Sequence, residues 1–316
     1  KNVKHTLGVQ LGVDHYTSAS SDNVDPSTIS SASTNDTRFY PSVSYTLNNE
    51  TKGNAVSFNG AYSIEYDYNS FGGGIGFTKT SKDKNREFNI KAQVYLDKLK
   101  LIYPVELRTF SGGNFREVWT SRKSYSTSLS YSSTINTRLQ LALLLDLIYQ
   151  QGYLGTPFHR IYFKDNTESV EHLPDKRFKI PIGLRINYFA GSKLIVRTFY
   201  RYYKDDWGLQ ANTFNIELPY KITQSVSLSP FYRFYKQQGL KYFAGYQDHN
   251  TAENFYTSDY DLSNFTSHFE GLGVRLSPPE GVMGMHHITN MELRLGHFNR
   301  SNGLNSNIIS LALTFK

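Results

Sequence analysis

The segment Leu139-Gln140-Leu141-Ala142-Leu143-Leu144-Leu145-Asp146-Leu147-Ile148-Tyr149-Gln150 decides the fold class. Leu139, Leu141, Leu143, Leu145, Leu147 and Tyr149 fall on one side of an extended chain, and Gln140, Ala142, Asp146 and Gln150 on the other. Side chains alternate between the faces of a strand, so this spacing predicts a strand with one apolar and one polar face. Its uninterrupted apolar run, Leu141 to Leu145, is too short for a buried helix and far below the roughly 18 residues of a membrane-spanning one.

The same period recurs outward from this segment. Phe178, Ile180, Ile182, Leu184, Ile186 and Tyr188 alternate with Lys179, Pro181, Gly183, Arg185 and Asn187. Near the end, Ile309, Leu311, Leu313 and Phe315 alternate with Ser310, Ala312, Thr314 and Lys316. Applied throughout, the pattern predicts fourteen strands, at 5–16, 37–48, 55–67, 71–80, 86–97, 123–133, 138–151, 177–189, 193–204, 207–219, 223–236, 264–276, 287–298 and 304–316. The connections segregate by length. Odd-numbered ones include the long 17–36, 98–122, 152–176 and 237–263, while even-numbered ones are short. A soluble sandwich has no reason to do this. An outer-membrane barrel, with long external loops and short periplasmic turns, does. The expectation is an all-β chain: one transmembrane, antiparallel, up-and-down β-barrel over 1–316, with both termini periplasmic, in the cell outer membrane with its signal peptide removed.

Composition agrees. Mean hydropathy is −0.48, yet 15% of the 316 residues are aromatic, 24 of them Tyr. Disordered chains lack such residues; a barrel with a wet interior and an apolar exterior needs them. Tyrosines near predicted strand ends, among them Tyr188, Tyr200, Tyr202 and Tyr220, suit interfacial girdles. The absence of cysteine excludes disulfides and thiolate metal sites. The net charge of +7 is spread singly along strands, without basic blocks or a nucleic-acid motif, so no nucleic-acid partner is expected.

Several segments carry a family resemblance: Gly152-Tyr153-Leu154 with Pro157 and Arg160, Arg201-Tyr202-Tyr203-Lys204-Asp205-Asp206-Trp207-Gly208, Tyr232-Arg233-Phe234-Tyr235-Lys236-Gln237, Phe255-Tyr256 and Ser258-Asp259-Tyr260-Asp261-Leu262-Ser263. Across roughly 138–276 the chain resembles a Gram-negative outer-membrane family catalogued only as a domain of unknown function. The resemblance implies a barrel in the outer membrane and supplies no catalytic residues. Members are often encoded beside a small lipoprotein, a thioredoxin-like protein and a flavin transferase, which implies a link to extracytoplasmic redox systems. The partners implied are outer-membrane lipids and a small lipoprotein or larger outer-membrane complex.

Arg185, Arg197, Arg201, Arg233, Arg275 and Arg294 all fall opposite the apolar stripe, as do Asp146, Glu217 and Glu292. A charge facing lipid at midplane costs roughly 2–4 kcal/mol, so these residues are expected to line the lumen. They suit either an anion-favouring constriction or a network of ion pairs that fills the space. Asp205 and Asp206, in the turn after the ninth strand, and Asp259 and Asp261, in the next long loop, suit either a calcium site or ordinary turn chemistry, with Trp207 as an interface anchor. Met283, Met285, His286 and His287 offer copper-type donors in what otherwise reads as a plain turn. No hydrolase, phosphate-loop or dinucleotide motif is present, so neither an enzyme nor a cofactor is expected. Three functions stay open: a channel for small polar or anionic solutes, a non-conducting subunit of a secretion or electron-transfer assembly, and, behind both, an outer-membrane hydrolase.

Overall fold

The computed structural model describes residues 3–17, 35–107, 110–111, 114–115 and 118–316. Almost all of the expected connection 17–36 and part of 98–122 lie outside the described residues.

Among the described residues the main sheet has 17 hydrogen-bonded segments. They form fourteen strands, because three strands are interrupted. These are β1 (Val3–Gln10, resumed at Val13–Thr17), β2 (Asn35–Phe39, resumed at Ser42–Asn49), β3 (Asn54–Ile64), β4 (Tyr68–Thr80), β5 (Arg86–Leu101), β6 (Val118–Asn136) and β7 (Leu139–Gly152). They continue as β8 (Lys176–Ala190), β9 (Leu194–Asp205), β10 (Gln210–Glu217, resumed at Tyr220–Lys221), β11 (Val226–Gln238), β12 (Phe265–Leu276), β13 (Ile288–Arg300) and β14 (Asn305–Phe315). Every strand pairs antiparallel with the next. Among the described residues no ladder joins β14 to β1. Nor, among the described residues, is any helix long and apolar enough to cross a membrane.

Each interruption has a local cause. Pro41 and Pro219 cannot donate to a ladder. At the break in β1, a Cβ on Gly12 would lie 2.2 Å from the Tyr40 ring. Several strands outrun the alternation that predicted them: β5 and β6 stay paired out to Leu101 and Val118. Backbone pairing needs no apolar stripe, which marks only the part of a strand facing lipid.

The registers put like with like. Leu143 and Leu145 lie opposite Leu184 and Ile182, and Leu293 and Leu295 opposite Leu311 and Ile309. This stripe is exposed on the convex face, Leu143 at 56% and Leu311 at 59%, the reverse of a water-soluble sandwich. Glu270, a charge on this face, lies directly opposite His297. Convex tyrosines turn their hydroxyls to polar neighbours: Tyr200 to Asn212 Oδ1 at 2.6 Å, Tyr202 to Gln210 Oε1 at 3.1 Å. That pairing of an apolar ring with a satisfied polar tip suits an interface.

Contacts that skip strands prove the curvature. Arg294 of β13 pairs with Glu217 of β10, and Arg122 of β6 reaches Tyr68 of β4 at 3.4 Å. Side chains reach over intervening strands in this way only on a concave face.

Among the described residues, most of the buried apolar side chains gather at the long-loop end, Val282 in the β12–β13 turn excepted. Leu173, Trp207, Leu209, Ala211 and Leu240 pack together, with Leu154, Tyr203 and Tyr242 against them. There the loops 153–175 and 239–264 fold into a cap. A ribbon of Arg160–Tyr162 and Glu168–Val170 is stitched to the second loop by His172 N–H to Tyr256 O at 3.1 Å and Tyr256 N–H to His172 O at 2.8 Å.

Candidate functional site

Two features stand out: a belt of charge on the concave face and the network beneath the cap. In the belt, Arg294 is the centre. It donates to Glu217, and its Nε lies 2.8 Å from Glu292 Oε1 at an angle that makes a charge contact rather than a hydrogen bond. Its guanidinium stacks 5.1 Å from the centre of the Phe231 ring. Arg197, opposite Glu217 in the ladder, approaches the same carboxylate at 3.8 Å. Arg233 donates to Asn215 Oδ1 at 2.8 Å and Arg275 to Asn290 Oδ1 at 2.9 Å. Asp146 faces Ser128 across the β6–β7 ladder. Among the described residues, Arg185 and Arg201 form no ion pair, and both are exposed.

Glycine makes room for this stacking. Phe231 and Phe269 lie 5.2 Å apart, and a Cβ on Gly271 would stand 2.1 Å from the Leu295 carbonyl and 2.6 Å from the Phe231 ring. Gly271→Val is therefore expected to lower stability by about 1–3 kcal/mol, measured by urea unfolding in lipid vesicles.

The four acidic residues considered for calcium do not converge. Asp205, with no side-chain exposure, accepts from Arg177 Nε at 2.9 Å, from Tyr203 Oη at 2.9 Å and from the Leu209 N–H at 3.0 Å. Asp206 accepts from the Phe178 N–H at 3.1 Å. Asp261 pairs with Arg300. Asp259 holds the Asp261 N–H at 2.9 Å. The reason is topological: Arg177 and Arg300, from strands distant in sequence, take the carboxylates that loop proximity alone would have left free. Trp207 is also corrected. At 2% exposure it is a core residue rather than an interface anchor, its Nε1–H donating to Lys176 O at 2.8 Å and its ring 4.3 Å beneath the Arg177 guanidinium. The Asp-Asp-Trp-Gly motif is thus a buried ion pair, a strand cap, a core ring and a left-handed turn, with φ +93° at Gly208.

Met283, Met285, His286 and His287 stay exposed on a tight turn in which Val282 bridges to Met285.

Two groupings escaped sequence reasoning. Carboxylate oxygens of Asp36, Glu65 and Asp67 lie within 4.8 Å of one another. Burial pushes the Glu65 and Asp67 carboxyls up, while Arg38 sits 3.4 Å from Glu65. In the cap, His159, Glu171 and Asp259 form a second set within 4.8 Å. Neither has a spacing signal, because each joins segments that only the fold brings together. Nearby, buried His249 contacts Glu253 Oε2 through Nδ1 at 2.7 Å and Thr257 O through Nε2 at 2.9 Å.

Comparison with known proteins places this geometry. The profile of a family described as "Protein of unknown function (DUF3570)" matches residues 11–295, well beyond the 138–276 that carried the resemblance. No curated protein matches the chain. Among solved structures, CdiB from Acinetobacter baumannii is similar at TM-score 0.53 and 10% identity, over 100% of this chain and 54% of that one. A mutant ferric enterobactin receptor from Pseudomonas aeruginosa gives TM-score 0.58 and 9% identity, over 95% and 48%. The siderophore receptor PirA from Acinetobacter baumannii gives 0.55 and 10%, over 89% and 48%. The chain spans about half the length of these solved chains. At such identities the likeness speaks to fold alone, that of the outer-membrane β-barrels.

Proposed function

The chain belongs to the DUF3570 family, and we propose that it is an outer-membrane barrel through which small polar, preferentially anionic, solutes pass. The observation that carries this reading is the excess of guanidinium on the concave face. Arg185, Arg197, Arg201, Arg233, Arg275 and Arg294, with Lys91, Arg122 and Lys179 on the same face, stand against Glu87, Asp97, Asp146, Glu217 and Glu292. Arg197 and Arg294 are drawn to Glu217, so they brace the wall. Arg185 and Arg201, exposed and outside any ion pair among the described residues, are the two that set selectivity, because a pore favours ions opposite to its uncompensated lining charge.

Single-channel recording in planar bilayers tests this. A reversal potential showing anion preference is expected, moving toward cation preference in Arg185→Gln/Arg201→Gln. A folded barrel that never conducts would refute the channel.

One observation favours a second role, as the anchor of a multi-protein outer-membrane assembly. The cap is a folded surface rather than a loose loop, and it exposes Tyr246 at 62% and Tyr260 at 52%. Exposed aromatics on an ordered surface are what protein partners bury. Stoichiometric recovery of a lipoprotein or larger barrel after mild extraction from native membranes would support it. Under that reading the belt braces the wall and conducts nothing.

A further inference from the structure

The two loops of the cap meet at metal-ligating side chains. His159 and Glu171 belong to 153–175 and Asp259 to 239–264, and one donor atom of each lies within 4.8 Å of the others. Glu171 is 3% exposed, and burial pushes its carboxyl above the usual carboxylate range. Each of its oxygens takes one hydrogen bond, Oε1 from the Thr257 hydroxyl and Oε2 from the Thr156 N–H. A carboxylate has about four lone-pair sites, so these bonds orient it and leave others free. That is how outer residues hold a metal-binding carboxylate. Asp259 engages its Oδ1 with a backbone N–H, and no hydrogen bond occupies its Oδ2 among the described residues.

Unsatisfied polarity converges here. His159 Nδ1 is buried with no hydrogen-bond partner, and so are the hydroxyls of Tyr153 and Ser258. Gly155 keeps the space open: a Cβ there would stand 3.2 Å from Glu171 Oε2 and 3.7 Å from Tyr153 Oη. A ring nitrogen of His159 and a carboxylate oxygen from each of Glu171 and Asp259 lie within 4.8 Å of one another, so a cation between them would give all three a common partner.

We propose that His159, Glu171 and Asp259 bind a divalent transition cation of the Zn²⁺ type, which fastens one loop of the cap to the other. The donor set selects the class. An all-oxygen site would suit calcium, and thiolate or thioether donors would suit copper(I). One imidazole with two carboxylates suits Zn²⁺, whose bonds of about 2.0–2.2 Å to nitrogen and oxygen would draw these donors slightly closer. The carboxylate trio at Asp36 differs, because Arg38 already neutralises part of it.

The test uses the full chain, folded in detergent, stripped by chelation and titrated with Zn²⁺ in a calorimeter. Trypsin cleavage in the cap, at Arg160, Lys164 or Lys241, is the second readout. One saturable site per chain is expected, weakened at least about tenfold in His159→Gln and in Asp259→Asn, with Zn²⁺ slowing cap cleavage in the parent alone. Heat-dependent gel migration confirms that each variant is folded before its titration is compared. Absence of saturable binding by the folded parent overturns the proposal. So does binding unchanged in both variants, or binding lost only in His286→Ala/His287→Ala, which would place the ion on the β12–β13 turn.

Discussion

Asp205→Ala is expected to destabilise the folded barrel by about 3–5 kcal/mol, the cost of removing one partner from a buried ion pair. The carboxylate has no exposure and the Arg177 guanidinium only 12%. Its loss strands that guanidinium against the Trp207 ring, with the Tyr203 hydroxyl and the Leu209 N–H losing their acceptor at once. Three segments lose a common tie: the end of β9, the turn into β10, and β8. Urea unfolding in vesicles, followed by tryptophan fluorescence, reads this directly, since Trp207 is one of only two tryptophans. Asp205→Asn, which keeps the shape and can still accept hydrogen bonds, is expected to lose less. Equal stability of parent and Asp205→Ala would show that the pair is not formed in the membrane. Asp206→Ala, by contrast, removes only the 3.1 Å bond to the Phe178 N–H at an exposed position, an effect of about 1 kcal/mol.

Leu143→Arg is expected to cost about 2–4 kcal/mol, because it places a guanidinium in lipid near midplane. Leu143 lies inside β7, opposite Leu184 and Tyr131, with over half its surface exposed on the convex face. The control is Ser128→Arg on β6. Ser128 lies between Asp146 and Lys91 on the concave face, so the new cation meets water, a carboxylate and one ammonium rather than hydrocarbon. Near-parent stability is expected there. If the two variants behave alike, the faces have been assigned wrongly, and so has every residue of the charge belt. The comparison tests the membrane orientation independently of conductance, since it depends only on which face meets hydrocarbon.

The number of strands, their antiparallel order and the faces of side chains within the apolar stripes were legible in the sequence, because strand alternation is a local property. Leu139 to Tyr149 states its own faces without knowing its neighbours, and the hydrophobic penalty on slippage then sets the register. The alternation of loop lengths was local too, and it sufficed to sort the two ends of the barrel. The extent of strands beyond the apolar stripe was not legible, since pairing past Leu96 follows the backbone of β6 and not side-chain polarity.

The site was decided only by tertiary structure. Sequence reasoning grouped Asp259 with Asp261, Asp205 and Asp206 because they are acidic and fall in successive connections expected on the same side of the barrel. In the fold, Arg300 takes Asp261 and Arg177 takes Asp205, while Asp259 turns to His159 and Glu171. Likewise the six arginines shared one description until curvature brought Arg294 across two strands to Glu217 and left Arg185 and Arg201 apart from any carboxylate among the described residues. Alternation tells a residue which face it occupies. Which charges meet on that face depends on how the sheet curves and how two loops about 80 residues apart pack together, and no local pattern encodes that.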